Sequence, residues 1–451
     1  MTISQIKEWL SRTVGVDKAV FYSIMGKIWQ IIAGIVSIVL IARFITRSEQ
    51  GYLYTFQSLL SFQFLFDLSL STVLIQFAGH EMAHLKWKTN GTIDGDSVSK
   101  SRLSSLIRFA FKWYSFAAVL MLVLLTSGGY TFFITQEVPN DPVIWRTPWM
   151  LLCAALSISM IFAPILGIIE GCGRVAEVAF FRMIQDSASY TIYWIALISG
   201  LRLFALPILF FSRVVAILIY LFIYRRDFLF DLGRTQISQK VNFKQEIWPF
   251  QWRFFLCSLA GLLASLLTIP IIFTAQGPVV AGQLGMTLSI TGAVFSVSMV
   301  WINTKVPLFC NLVALKNYSS LDRIFRTVNW QSFSVMLVLS GGIILLVLAV
   351  KQFTPGFAMR LADPMTVVLL LLAVLLAFPN FALSAYLRTH KREVTVFANL
   401  SIALIMLCLI YFIAFRHSGL LYIAVVQAVS NGVLSFWVYL LFRKYKQLWH
   451  I

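Results

Sequence analysis

Twelve long apolar segments follow one another along this chain, and a run of roughly 20 apolar residues is what a helix needs to cross the hydrocarbon core of a bilayer. They lie near residues 19–43, 51–79, 106–134, 146–170, 174–199 and 201–224, then 247–275, 277–304, 326–350, 364–387, 392–415 and 418–442. Because the runs are continuous rather than alternating, they read as helices and not as barrel strands, every backbone polar group being satisfied within its own segment. Of the 451 residues, 59% are hydrophobic, which excludes an ordinary soluble domain.

The basic residues then set an orientation. With the N-terminus taken as cytoplasmic, 24 of the 36 Lys and Arg residues fall on inside loops and tails, 7 on outside loops and 5 within apolar segments. The positive-inside rule therefore predicts both termini in the cytoplasm. The net charge of +18 is mostly this topology signal, with some affinity for anionic lipid, and it argues against a nucleic-acid partner. Residues 1–18 place Ile3, Ile6, Leu10 and Val14 at helical spacing beside Trp9, which predicts an interfacial helix and no cleavable leader. The expected organisation is that helix, a six-helix lobe over 19–224, a cytoplasmic linker over 225–246, a second six-helix lobe over 247–442 and a cytoplasmic tail over 443–451.

The halves resemble one another. AGIVSIVLIARF from Ala33 matches AGLLASLLTIPI from Ala260, and Pro164 with Arg174, Glu177 and Val178 matches Pro379 with Lys391, Glu393 and Val394. Six spans per repeat keep both ends on one side, so the repeat is parallel, with its axis along the membrane normal. The outside loops are short, which disfavours a glycan polymerase or ligase that would hold a catalytic site outside the cell.

Ionisable residues inside the apolar segments cost about 2.5–3.5 kcal/mol each on insertion scales and mark candidate sites. They are Lys27, Asp67, Lys112, Arg182, Asp186, Arg213 and Arg253. Lys27, Lys112, Arg182 and Arg253 start about 9–12 Å deep, so they either snorkel to the inner interface or line a cationic vestibule. In the first span Ser23, Lys27, Gln30, Gly34 and Ser37 form one stripe, either a hydrated face or a tight small-residue helix contact. Arg182 and Asp186 are spaced to pair along one helix, and Arg213, near mid-span, neutralises Asp67 or Asp186 or contacts cargo. Gln427, Asn431 and Ser435 give the last span a polar face. With five bases against two acids, the balance favours an anionic cargo over a cationic drug.

The sequence contains no GxxxxGK[ST] loop, so transport would draw on an ion or substrate gradient, with Asp67 and Asp186 as candidate coupling sites. His80-Glu81-Met82-Ala83-His84 matches HExxH literally, but no third ligand is placed to complete a zinc site, and the five cysteines are scattered. No cofactor or metal is expected, and no enzymatic activity.

Three stretches carry a family likeness: Gly51-Tyr-Leu-Tyr through Gln76-Phe-Ala-Gly-His-Glu-Met82, Glu170 through Val178 with Arg182 and Gln185, and Gln276 through Thr287 leading to Trp301–Pro307. Over nearly its whole length the chain resembles bacterial polysaccharide or O-antigen flippases of the multidrug/oligosaccharidyl-lipid/polysaccharide exporter superfamily. The resemblance implies a two-lobe, twelve-helix exporter in the bacterial inner membrane, working by alternating access. It implies a polyprenyl-pyrophosphate-linked oligosaccharide as cargo, moved from the inner to the outer leaflet, and other polysaccharide assembly proteins as partners. A drug or small-metabolite exporter of the same superfamily is the alternative. The residues placed at the cargo, Lys27, Gln30, Arg182, Arg213 and Arg253, come from the charge pattern and not from the resemblance.

Overall fold

The computed structural model describes residues 18–68, 70–136, 143–239, 241, 243, 248–390, 394–416 and 419–449, without the side chains of residues 18–20, 24, 72, 249–250, 253–254, 256–258, 260–266, 307, 310–311 and 314. The interfacial helix expected over residues 1–18 lies, save for its last residue, outside the described residues.

Helix α1 is Lys18–Phe44. The second span is not one helix, as the sequence reading had it, but three: α2 Arg47–Leu60, α3 Gln63–Asp67 and α4 Leu70–Met82. Leu68 ends α3 in the left-handed region at φ 49°, a conformation that Cβ sterics disfavour in any residue but glycine. A short hairpin of β1 Leu85–Trp87 and β2 Ile93–Gly95 leads to α5 Ser97–Ile134. Asp96 caps α5 by accepting from Ser99 N at 2.9 Å, a bond that holds its carboxyl below the usual range. Helices α6 Arg146–Gly171, α7 Val175–Ile198 and α8 Ala205–Ile219 complete the first six spans, α8 ending in a wider turn over Tyr220–Tyr224.

The short helix α9 Arg226–Arg234 follows, then α10 Trp248–Gln276. The eighth span is divided at Met299 into α11 Pro278–Ser298 and α12 Val300–Ala314. Next come α13 Tyr318–Phe353, the single turn α14 Pro355–Ala358, α15 Pro364–Arg388, α16 Val396–Phe415 and α17 Leu420–Trp449. The tail expected from residue 443 is therefore helical to Trp449.

Among the described residues nine helices are long and apolar enough to cross a membrane. The other three expected spans are the broken second one, α7 with its internal charges, and α10, of which Leu267–Gln276 counts as a shorter apolar helix.

The chain divides into two compact units. In the first, α1 lies along α7, α5 along α6, α6 along α8, α7 along α8, and α4 against both α5 and α6. In the second, α13 packs on α15, α15 on α17, α16 on α17, and the divided eighth span on α13 and α15. Counted by span, the neighbour pairs 2–3, 2–4, 3–4, 4–6 and 5–6 recur as 8–9, 8–10, 9–10, 10–12 and 11–12. That recurrence, with the interior Pro164 of α6 and Pro379 of α15 at matching places, bears the duplication out in three dimensions.

One segment crosses the simple halving. Thr46–Leu59, assigned by the sequence reading to the first lobe, packs in the second unit with Leu256–Ile451. The physical reason is a close crossing of α2 on α11. A Cβ on Gly51 would sit 1.9 Å from the Pro278 carbonyl oxygen, and one on Gly285 would sit 2.5 Å from Tyr54 Cβ. Backbones can approach this closely only where no side chain intervenes. Gln50 locks the crossing, its amide donating to the Gly282 oxygen at 2.8 Å and the Arg360 oxygen at 3.1 Å while accepting from the Arg360 guanidinium. Burial, with the Arg47 guanidinium nearby, pushes Arg360 below its ordinary value.

The two long polar segments, expected on the same side, meet in the first unit. Asp231 of α9 accepts from Ile93 N and from Lys100 Nζ, and Arg108 donates to the Gly233 and Thr235 oxygens. Trp87 stacks on Phe228 at 5.2 Å, lies under the guanidinium groups of Arg174 and Arg225, and donates to the Cys172 oxygen at 2.8 Å. A hairpin and a helix thus join three loops of one unit into a polar cap.

Candidate functional site

Four of the residues singled out from sequence come together in the first unit. Asp186 of α7 accepts from Arg213 of α8 at 2.9 Å on one oxygen and from the Gln30 amide of α1 at 2.9 Å on the other. Lys27, one turn before Gln30, reaches its side-chain oxygen at 3.3 Å. Three helices are thereby connected through one carboxylate. Gln185 donates to the Arg213 backbone oxygen at 2.8 Å, and Tyr190 and Phe210 place their rings 5.5 and 5.8 Å from the Arg213 guanidinium. The Asp186 bond and the two rings fix the guanidinium in direction, so its charge is spent largely on Asp186.

The first-span stripe resolves into two parts. Lys27 and Gln30 are exposed, and nothing lies within 4 Å of where a Cβ on Gly34 would be, so this stretch is not a tight small-residue contact. Ser37, further along, is buried and accepts from the Trp194 indole at 3.0 Å.

Arg182 does not join the network. Its guanidinium is 3.0 Å from Glu170 at the end of α6, not on Asp186 one turn along its own helix. The helical-spacing argument missed this because the α6–α7 turn at Cys172 and Gly173 folds Glu170 back beside α7. The inventory of five bases against two acids is corrected accordingly: Arg182 and Arg213 are each paired with a carboxylate. Among the described residues Lys27 has no carboxylate partner. The side chain of Arg253 lies outside the described residues.

Asp67 forms a separate cluster. It is the last residue of α3, and it accepts from the Tyr114 hydroxyl of α5 at 2.5 Å and from Ser71 Oγ at 2.9 Å. Tyr114 is 1% exposed, and the sequence reading did not single it out. A lone tyrosine four residues from Ala110 and Ala118 on a long apolar helix carries no spacing signal. Sequence had allowed Arg213 to neutralise either acid; the structure gives it to Asp186.

Beside the network, α7 bounds a depression of about 490 Å³ lined by Met183, Ile184, Ser187, Ala188, Thr191 and Ile192. Ser187 and Thr191 return their hydroxyl protons to carbonyls of their own helix, which leaves the lining mainly apolar. The polar face of α17 has a structural use. Ser435 donates to the Leu376 oxygen and accepts from Asn380 N on either side of Pro379, and Asn431 donates to the Ala373 oxygen. In the HExxH stretch Glu81 is bound by Arg102 at 2.7 Å, and no group of three metal-ligating side chains occurs among the described residues.

Solved structures with this architecture are transporters. The chain superimposes on an inward-facing multidrug resistance MATE family transporter of the MOP superfamily with a TM-score of 0.63, at 12% identity, covering 93% of this chain and 98% of that one. An outward-facing multidrug resistance MATE family transporter of that superfamily matches with a TM-score of 0.54 at 13% identity, over 96% of each chain. A MATE structure in a bent conformation gives 0.52 at 13% identity, over 95% of each. No protein-family profile matches the chain, and no curated protein does either. The fold is therefore that of MATE transporters of the MOP superfamily: an all-α multi-pass membrane protein of twelve spans in two six-span lobes.

Proposed function

We propose that this chain is a secondary transporter that moves a polyprenyl-pyrophosphate-linked oligosaccharide from the inner to the outer leaflet by alternating access. The observation that carries the reading is Lys27. It is a cation at membrane depth, exposed, on the same face as Gln30 and without a carboxylate partner among the described residues, and such a charge calls for an anion. A pyrophosphate supplies one. Gln30, Asp186 and Arg213 form the scaffold that orients this face, and Arg182 and Arg253 are further contacts for the phosphates or for the sugars next to them. The open, mainly apolar face of α7 suits the isoprenoid part of an amphipathic cargo. Asp67 and Asp186 are the candidates for the coupling ion, since no ATP-binding loop is present in the sequence.

The distribution of basic residues supports both termini in the cytoplasm; a bacterial inner membrane and other polysaccharide assembly proteins as partners are what the resemblance to polysaccharide flippases implies. Export of drugs or other small molecules is the second reading. It is favoured by the multidrug transporters that share the fold.

The deciding experiment is reconstitution in vesicles with a defined polyprenyl-pyrophosphate oligosaccharide, scoring leaflet exchange with and without a pH gradient. Exchange is expected in the parent, a fall of tenfold or more in Lys27→Ala, and retention in Lys27→Arg. Absence of exchange, combined with gradient-driven efflux of small organic cations, would replace the flippase reading by the second one.

A further inference from the structure

The polar cap of the first unit contains a depression that neither the packing of the cap nor the Lys27 face uses. Its volume of about 560 Å³ is that of a small-molecule site, and it lies between the turn of the hairpin and one face of α9. Asn90 and Thr92 line it from the turn. Asp227, Phe230 and Arg234 line it from the helix, where spacings of three and four residues put them in one row. The opposite face of α9 does the packing, with Phe228 and Leu232 buried. Both walls are fixed. Asp231, also in the lining, spends its two oxygens on Ile93 N at 3.1 Å and Lys100 Nζ at 2.9 Å, which ties α9 to β2 and α5. Asn90 Oδ1 accepts from both Thr92 N and Thr92 Oγ1, which closes the turn on itself.

Three polar groups of the lining are left without a hydrogen bond among the described residues. They are the Asn90 amide nitrogen, the Asp227 carboxylate, whose ion pair with Arg226 is a loose 3.7 Å, and the Arg234 guanidinium, which rests only against the Phe230 ring at 5.7 Å. Phe230 itself is 54% exposed. The depression therefore offers free donors, a free acceptor and an aromatic face at once. Its charges balance, Asp227 and Asp231 against Arg234 and Lys100. An anion would meet the Asp227 carboxylate, and a cation would meet Arg234. A sugar suits every group: its hydroxyls both donate and accept, so they bond carboxylate, amide and guanidinium alike. The C–H face of its ring carries partial positive charge and lies on the negative face of an aromatic ring.

We infer that this depression is a glycan-binding subsite that takes one neutral sugar residue. Phe230 stacks on the sugar ring, Asp227 and Arg234 bond its hydroxyls along α9, and Asn90 donates from the hairpin. Its purpose rests on the flippase reading. The oligosaccharide head of a lipid-linked cargo stays in water beside the cytoplasmic leaflet, where the positive-inside rule puts these loops. A subsite in the cap reads that head before the cargo is moved, so the sugar is selected apart from the pyrophosphate.

The test is saturation-transfer NMR on the full chain in lipid nanodiscs, with free glucose, galactose, mannose and N-acetylglucosamine as probes and empty nanodiscs as blank. Transfer is expected to the ring C–H protons of at least one of these sugars. Phe230→Ala and Asp227→Ala should each weaken its binding by about threefold to tenfold, and Arg234→Gln should do the same. All three side chains are exposed, so the variants should melt with the parent. Phe353→Ala, which removes an exposed ring of the second unit, should keep the full signal. Transfer to none of the four sugars would overturn the inference, as would a signal that survives all three cap variants. Displacement of the sugar by inorganic phosphate would overturn it too, by making the depression an anion site. The probes carry neither lipid nor phosphate, so the two readings fail separately: leaflet exchange without sugar binding sinks this one, and sugar binding without exchange sinks the flippase.

Discussion

Replacing Gly51 by alanine tests the helix crossing that carries residues 46–59 into the second unit. The added Cβ would lie 1.9 Å from the Pro278 carbonyl oxygen and 2.5 Å from its carbon, and both are backbone atoms that no rotamer change can withdraw. A carbon meets a carbonyl oxygen at no less than about 3.3 Å, so α2 and α11 must part by about 1.4 Å. The Gln50–Gly282 bond, 2.8 Å long, cannot survive that movement, and the paired contacts between Gln50 and Arg360 are strained with it. Overpacking of this kind costs about 1–3 kcal/mol and each lost hydrogen bond about 0.5–1.5 kcal/mol. Together they amount to about 2–4 kcal/mol, which for a unit of this size lowers the thermal midpoint by about 5–10 °C. The assay is thermal unfolding in detergent, with Gly34→Ala as reference, since no atom lies within 4 Å of the Cβ it would add. Alanine at Gly34 should be neutral or stabilising by up to about 1 kcal/mol through helix propensity. If Gly51→Ala melts with the parent while Gly34→Ala falls, the reasoning from close backbone approach is wrong.

Arg213→Ala strands Asp186 and should destabilise by about 1–3 kcal/mol; this is below the figure for a fully buried pair because both side chains keep some exposure. Adding Asp186→Ala should recover part of the loss in a double-mutant cycle of melting temperatures. Ser435→Ala leaves the Leu376 oxygen and Asn380 N without their hydroxyl partner beside Pro379, and about 1–3 kcal/mol should be lost in the same assay. Pro379→Ala on that background should restore some of it, by letting the helix supply its own bonds. His390 is held below its ordinary value by burial, against the Asp322 carboxylate and a Tyr386 carbonyl that work the other way. The unfolded chain therefore takes up this proton first as pH falls, so stability should decline below about pH 6.5 and level off beneath the folded value, and His390→Phe should flatten that part of the melting profile.

The spans were legible in sequence because each is an apolar run longer than any buried soluble helix needs, and their ends agree with the structure to within a few residues over α6, α7 and α15. The breaks were not. Phe62 and Leu68 are apolar residues with nothing in their type to announce a helix end, and the left-handed conformation of Leu68 is one its residue type does not favour. The hairpin and α9 were also hidden inside stretches that read only as polar. In the site, the Lys27–Gln30 face could be read from spacing on one helix. The partner of each charge could not, because pairing was decided between helices: Arg213 with Asp186, Arg182 with Glu170, Tyr114 with Asp67. Glu170 was the one that could have been found, being a carboxylate next to a glycine turn with a base about two helical turns along the other arm.

The backbone passes from one unit to the other after Ile45, after Leu59 and after Phe255, so the second unit is built from two separate stretches of the chain. A fragment beginning after the 225–246 segment would be missing a piece of its own interior, and the glycine-lined trough at Gly282 and Gly285 would stand open.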